Sequence, residues 1–79
     1  MKLNKGISRR LCEIKKERKL TQYQIFKLTG VPQSTISTIL KGETKTLKLS
    51  TLYAICSGLD IEMSDFFDID YLKLKDLED

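Results

Sequence analysis

The feature that most constrains this sequence is a pair of helix signals in close succession, in the stretch "LTQYQIFKLTGVPQSTISTILKG". Thr21, followed three residues later by Gln24, forms a capping box, which predicts that a helix begins at the next residue. Gly30 supplies the left-handed residue that commonly ends a helix. The chain is therefore expected to form a short helix over residues 22–29 and then to turn sharply.

A second short helix is predicted directly after that turn, over residues 33–41. Pro32 fits the first turn of a helix, where its missing N–H has no intrahelical partner, and Gly42 is expected to close the helix. The Ser, Thr and Ile residues of this stretch favour strand or turn by intrinsic propensity. Three apolar residues nevertheless follow the spacing of one helix face, which we expect to point inward: Ile36, Ile39 and Leu40.

The opposite face of this second helix is polar and contains no acidic residue: Gln33, Ser34, Ser37, Thr38 and Lys41. Two short helices joined by a tight turn form a helix-turn-helix, whose second helix fits the major groove of DNA. A glutamine can bond adenine, serines can bond either base class, and a threonine methyl can pack on thymine. We therefore expect base reading from Gln33, Ser34, Ser37 and Thr38, the alternative being a solvated helix that happens to be rich in Ser and Thr.

Apolar spacing predicts three further helices, giving an all-α chain of five. The first, over residues 4–19, combines a buried stripe with a strongly basic outer face. The fourth is expected over about residues 49–59, and its ends have two readings. Either Ser50 caps it and Gly58 ends it, or the helix fills the whole range with Asp60 in the left-handed position.

The fifth helix is short and contains Met63, Phe66 and Phe67. Beyond it, the acidic segment 68–79 fits neither helical nor strand periodicity, and is expected to be a weak helix or a frayed end. We therefore divide the chain into a helix-turn-helix domain over residues 1–67 and an acidic C-terminal tail.

Composition argues against several classes of protein. The chain has 79 residues, no histidine and two cysteines, Cys12 and Cys56, in no metal-ligand spacing. We expect one domain with no metal, no cofactor, no evident small-molecule ligand and no catalytic centre. No apolar run is long enough for a membrane span, and no secretory segment is evident, so a soluble cytoplasmic protein is expected. Both cysteines are expected in the core, with a single interhelical disulfide as the alternative.

The net charge of +3 conceals a strong asymmetry along the chain. Residues 1–48 carry twelve Lys or Arg against three acidic residues, whereas residues 49–79 carry two Lys against eight acidic residues. A surplus of positive charge on one part of a small domain suggests an anionic partner such as DNA. Solvated helix faces are the plainer alternative.

Two segments, "LTQYQIFKLTGVPQSTISTILKGETK" and "LSTLYAICSGLDIEMSDFF", resemble the helix-turn-helix domain of phage repressors, Cro and the xenobiotic-response-element regulators of bacteria. The resemblance covers about residues 7–67. It implies a compact, five-helix, lambda-repressor-like domain whose third helix reads the major groove, usually as a homodimer on operator DNA. Its framework positions recur in order: Ile7, Leu11, Ile14, Leu20-Thr21-Gln22, Ile25, Gly30-Val31, Ile36, Gly42, Thr51-Leu52, Ile55, Leu59, Ile61 and Phe66.

The resemblance also assigns roles to individual positions. Gln33, Ser34 and Thr38 match base-contacting positions, with Ser37 as a supporting contact. A second set matches contacts to backbone phosphates: Lys15, Gln22, Lys41, Thr44, Lys45 and Lys48. The lysines in this set also suit phosphate on physical grounds, because each neutralised phosphate releases counterions.

Three positions depart from the family pattern. Phe26 stands where a small Ala is usual and is expected to widen or tilt the packing of the second helix on the third. Pro32 replaces a Ser or Thr cap, which leaves one amide without a side-chain acceptor. Leu40 replaces a frequent acidic residue and removes an ion pair to the first helix.

The predicted function is a sequence-specific transcriptional regulator, most simply a repressor that occupies its operator. The main alternative is the antitoxin of a toxin–antitoxin pair, which binds its toxin and its own promoter. A third possibility is a helical protein-interaction module without DNA binding, against which the acid-free face of the third helix argues. We expect no enzyme, because no candidate nucleophile has a base in a recognisable motif.

Overall fold

The computed structural model describes residues 1–79 and contains five α-helices and two 3-10 turns. The predicted all-α fold is confirmed. No helix is both long enough and apolar enough to cross a membrane. The elements are α1 (Leu3–Glu17), α2 (Gln22–Thr29), α3 (Gln33–Leu40), α4 (Leu49–Gly58), α5 (Met63–Phe66) and the 3-10 turns Asp70–Leu72 and Leu74–Asp76.

Helix boundaries follow the sequence signals with small differences. Pro32 does not enter the first turn of α3; it is extended (φ −54°, ψ 143°) and immediately precedes the helix, with no side-chain cap. Helix α4 combines its two predicted readings: Gly58 is its last residue, as in the first, whereas it begins at Leu49 without a Ser50 cap and Asp60 is left-handed (φ 56°), as in the second. A Cβ on Gly58 would lie 2.4 Å from the Leu28 carbonyl oxygen and 2.6 Å from the Thr29 Cα. Because Gly58 has no side chain, the end of α2 can pack closely against α4.

The core is a single cluster to which every α-helix contributes. Ile25, Ile36 and Phe66 are completely buried, at 0% exposure. Phe26 lies half-buried at the rim, with its ring 6.1 Å from the ring of Tyr23. The large side chain at position 26 therefore coexists with direct packing of α2 on α3.

The prediction for the two cysteines is right for one and wrong for the other. Cys56 is buried, and burial raises the pKa of its thiol. Cys12 is exposed, and both thiols are free, so the disulfide alternative fails as well. Cys12 directly follows the buried Leu11, and its Sγ lies 3.3 Å from the carbonyl oxygen of Leu40 at the rim of the core.

The C-terminal segment 68–79 lies against α1. Leu72, in the first 3-10 turn, is buried, and its Cδ2 occupies the space that a Cβ on Gly6 would fill, at 2.5 Å. The neighbouring Tyr71 hydroxyl donates a hydrogen bond to the Glu13 carboxylate, and the guanidinium carbon of Arg9 lies 4.3 Å from the Tyr71 ring centroid. A segment without helical periodicity thus makes specific contacts with the first helix.

Candidate nucleic-acid interface

The turn between α2 and α3 is held by side chains at both ends of α2. The Thr21 hydroxyl accepts from the backbone amide of Gln24 at 3.0 Å, and the side-chain Oε1 of Gln24 accepts from the backbone amide of Thr21 at 2.8 Å, which completes the capping box. At the other end Gly30 is left-handed, with φ 75°. The Thr29 hydroxyl donates to the Ile25 carbonyl and accepts from the amide of buried Val31. These bonds set the angle at which α3 leaves α2.

The outward face of α3 presents short polar side chains to solvent. Gln33, Ser34 and Thr38 are exposed, whereas Ser37 is half-buried. The Thr38 hydroxyl donates to the Ser34 carbonyl at 2.8 Å, as Thr often does within a helix. The hydroxyl hydrogen of Thr38 is thereby occupied within the helix.

Gln22 is the first residue of α2, and its side chain reaches the first residue of α3. Its Nε2 donates to the carbonyl oxygen of Gln33 at 3.1 Å. Gln22, which is expected to contact a phosphate, is therefore in direct contact with Gln33, which is expected to read a base. Their shared bond joins the first turns of the two helices.

A basic depression of about 390 Å³ adjoins Gln22 and is lined by α1 and the residues after it. It brings Lys15 and Gln22, both expected at phosphates, together with Lys16 and Lys19. The sequence prediction did not include Lys16 and Lys19. Their place in the basic run Lys15 to Lys19 was the available signal.

A second depression, of about 320 Å³, lies between α3, the loop after it and the start of α4. Thr38, Thr44 and Lys48 meet here, which brings one expected base contact beside two expected phosphate contacts. Further hydroxyls that the sequence prediction missed line the same depression: Thr35, Thr46 and Thr51. Hydroxyl and ammonium groups are the usual protein donors to phosphate oxygens.

Lys45 lines a third depression, which shares Thr44 with the second but does not include Lys48, and Lys41 lines neither of the two. The loop of Lys45 meets the first turn of α1, where Lys2 and Lys5 line this third depression of about 650 Å³. The expected phosphate contacts therefore form groups around α3, two of which meet at Thr44. Lys41 is exposed directly after the C-terminal end of the helix.

Helix α1 holds the C-terminal end of α3 through hydrogen bonds. Leu40 lacks the acidic side chain that could form an ion pair with α1. Its backbone carbonyl is bonded to α1 instead, because it accepts from the Ser8 hydroxyl at 3.1 Å and from the Cys12 thiol at 3.3 Å. Gly42 is left-handed, with φ 72°, and closes the helix as predicted. The departure at Leu40 therefore leaves α3 joined to α1.

None of the lysines around α3 forms an ion pair, although Glu43 and Asp79 line the same depression as Lys45. The ion pairs of the structure lie elsewhere, at Met1 with Glu78, Arg9 with Glu13, and Lys73 with Asp68. Hydrogen bonds from Tyr71 and from Lys73 lower the pKa of Glu13 and of Asp68 respectively, and neither carboxyl belongs to the expected DNA-contacting set. No group of His, Cys, Asp and Glu side chains is arranged to hold a metal ion. The surface around α3 is thus one that attracts an anion.

Comparison with known proteins agrees with this geometry. The family model described as a Cro/C1-type HTH DNA-binding domain matches residues 10–70, which include all five residues of the outward α3 face and most of the fold. No curated protein and no solved structure matches the chain.

Proposed function

The chain belongs to the Cro/C1-type helix-turn-helix DNA-binding family, and on that premise we propose that it is a sequence-specific transcriptional repressor that occupies its operator. Helix α3 enters the major groove and reads base edges. The lysines and hydroxyls around it bind the flanking phosphates.

One observation carries the proposal: the outward face of α3 consists of polar side chains, most of them short and exposed, and contains no acidic residue. Glu, Lys and Arg favour helix formation and would suit a helix that only meets water. Acidic side chains on this face would repel phosphates. Poor helix formers on an exposed face are therefore understood best as groove-facing side chains.

In vitro selection of bound DNA from a random pool is the most direct test. We expect a consensus with a preferred base opposite Gln33. The variant Gln33→Ala should lose about 1–3 kcal/mol of binding free energy at that base pair and relax the preference there.

Lys45→Ala is the matched control for a phosphate contact. It should weaken binding to all sequences alike and lower the slope of log affinity against log salt by about one. Equal losses on consensus and random DNA for Gln33→Ala would contradict the base-reading role.

We also propose that the protein binds as a homodimer, with half-sites about 34 Å apart on the operator. Phe66 lies fully in the core and is unsuited to anchor a dimer. Leu74 is 89% exposed and offers an apolar contact without being needed for packing. Sedimentation of Leu74→Ser tests the tail as an anchor: an unchanged dimer mass excludes Leu74.

One observation favours the antitoxin alternative. A groove of about 670 Å³ between α4 and α5 shares no residue with the expected DNA-contacting set. Apolar and acidic side chains alternate around it: Tyr53, Asp60, Ile61, Glu62, Met63 and Asp65. A basic toxic protein would suit this lining. Co-purification with the product of a neighbouring small reading frame, lost in Glu62→Lys, would support this function over simple repression.

A further inference from the structure

We propose that Asn4 is a positioning residue for DNA binding: its side-chain amide fixes the backbone of residues 44 and 45 and thereby aims Lys45 at a phosphate. The inference rests on the proposed function for its effect on DNA, although the contact itself is a property of the free protein. Asn4 lies on α1, outside the helix-turn-helix, and would not touch DNA in this role.

The contact consists of two hydrogen bonds from one amide group. Asn4 Nδ2 donates to the carbonyl oxygen of Thr44 at 3.0 Å and to that of Lys45 at 2.5 Å. One residue further along α1, Lys5 Nζ donates to the Gly42 carbonyl at 2.8 Å. Three carbonyls of a short loop are thus directed toward the first turn of α1.

These bonds extend a row of donors along one face of α1. Asn4, Ser8 and Cys12 follow each other at intervals of four residues, which places them on the same side of the helix. Ser8 and Cys12 bond the Leu40 carbonyl, at the C-terminal end of α3, where carbonyls have no intrahelical partner. Asn4 continues the row onto the loop that follows.

Two consecutive carbonyls held in this way leave the backbone little rotational freedom. The direction of a carbonyl depends on the ψ angle of its own residue, so fixing the carbonyls of Thr44 and Lys45 fixes ψ at both positions. The direction of the Lys45 Cα–Cβ bond, from which its side chain starts, is set with them. Because Lys45 is exposed and has no ion pair, its ammonium group is free to meet a phosphate once the loop is ordered.

The chemistry of asparagine suits this position. Its amide carries two hydrogens on one nitrogen, which matches two neighbouring acceptors, and it adds no negative charge near DNA. Aspartate has nearly the same shape but would direct carboxylate oxygens at two carbonyl oxygens. Asn4→Asp therefore separates the hydrogen bonds from the shape of the side chain.

The test is a double-mutant cycle on DNA affinity that combines Asn4→Ala with Lys45→Ala. Asn4→Ala alone should weaken binding to all sequences by about threefold to tenfold, with base preference unchanged. Once Asn4 is removed, Lys45→Ala should have a smaller effect than in the wild-type background. Lys48→Ala is the matched control, because Asn4 does not contact residue 48, and its effect should be the same in both backgrounds.

Three results would overturn the inference: equal effects of Lys45→Ala with and without Asn4, no effect of Lys45→Ala in the wild-type background, or full binding by Asn4→Asp. Backbone ¹⁵N relaxation of the free protein gives a readout without DNA. Asn4→Ala and Asn4→Asp should increase motion at residues 44 and 45 while α3 stays rigid, and unchanged relaxation would also refute the positioning role. Failure of wild-type protein to bind DNA would refute the proposed function and leave this second readout decisive.

Discussion

Helix α1 is joined to the rest of the molecule in two chemically different ways. Toward α3 and its loop it adds hydrogen bonds to the packing of the shared core, a polar joint made by Asn4, Lys5, Ser8 and Cys12 on backbone carbonyls. Toward the C-terminal segment it forms an apolar joint in which Leu72 fills the space beside Gly6, with hydrogen bonds from Tyr71 and from the Met1 and Leu3 nitrogens at its edges. The expected DNA-contacting loop is thus held to α1 by directional contacts, whereas the contact with the tail also buries a leucine.

The difference suggests that the two joints have different tasks. A hydrogen bond contributes only about 1 kcal/mol net but depends on angle, so a row of them orients the group that it holds. Burial of a leucine contributes more, about 1.5–3 kcal/mol, but has little directional character. We therefore expect stability to depend more on the apolar joint and DNA affinity more on the polar joint.

Leu72→Ala should have the largest effect on stability. Leu72 is 5% exposed, and truncation of a buried leucine to alanine costs about 2–5 kcal/mol, here nearer the lower limit because the segment can adjust. Urea unfolding should show this loss, while the folded fraction should bind DNA with wild-type affinity. If Leu72→Ala instead weakened DNA binding and left stability unchanged, which is the pattern expected for Asn4→Ala, the two joints would not divide these tasks.

The effect of Gly6→Ala on the free energy of unfolding should change sign according to the residue at position 72. In the wild type the added methyl would lie 2.5 Å from Leu72 Cδ2, and overpacking of this kind costs about 1–3 kcal/mol. In the Leu72→Ala background that contact is gone, and the better helix propensity of alanine should stabilise the protein by about 1 kcal/mol. Urea unfolding of the four proteins measures both values; the same sign in both backgrounds would argue against direct packing of Leu72 on Gly6.

The sequence predicted the region around α3 more accurately than the apolar joint, for physical reasons. Capping boxes, left-handed glycines and helical spacing are local signals, and Thr21, Gly30 and Gly42 marked α2 and α3 to within a residue or two. A three-residue 3-10 turn such as Asp70–Leu72 has no period to detect. Its position depends on Gly6, more than sixty residues away.

The candidate interface was predictable in its composition but not in its supports. Exposed lysines and short polar side chains follow from charge and spacing. The role of Asn4 follows from a contact across forty residues, and a single asparagine in the first turn of a helix gives no sign of it. Cys12 was misplaced for the same reason, because its partner is a backbone carbonyl that the residue type does not reveal.

Tyr71→Phe should have the smallest effect and a distinctive pH dependence. The Tyr71 hydroxyl lowers the pKa of Glu13 below its ordinary 4.5, so this contribution to stability is present above 4.5 and is lost as pH falls through the lowered pKa. Burial and the bond to Glu13 raise the pKa of Tyr71 from 10 to about 12, so the phenol's contribution is lost as pH rises between these values. Both groups are partly exposed, and we expect a loss of stability below about 1 kcal/mol at neutral pH.

The difference in stability between wild type and Tyr71→Phe, measured by urea unfolding, should therefore be largest near neutrality and shrink at both extremes of pH. Tyr53→Phe is the control, because Tyr53 is 62% exposed and should give no difference at any pH; a flat profile for Tyr71→Phe would mean that the polar part of the apolar joint adds nothing to stability.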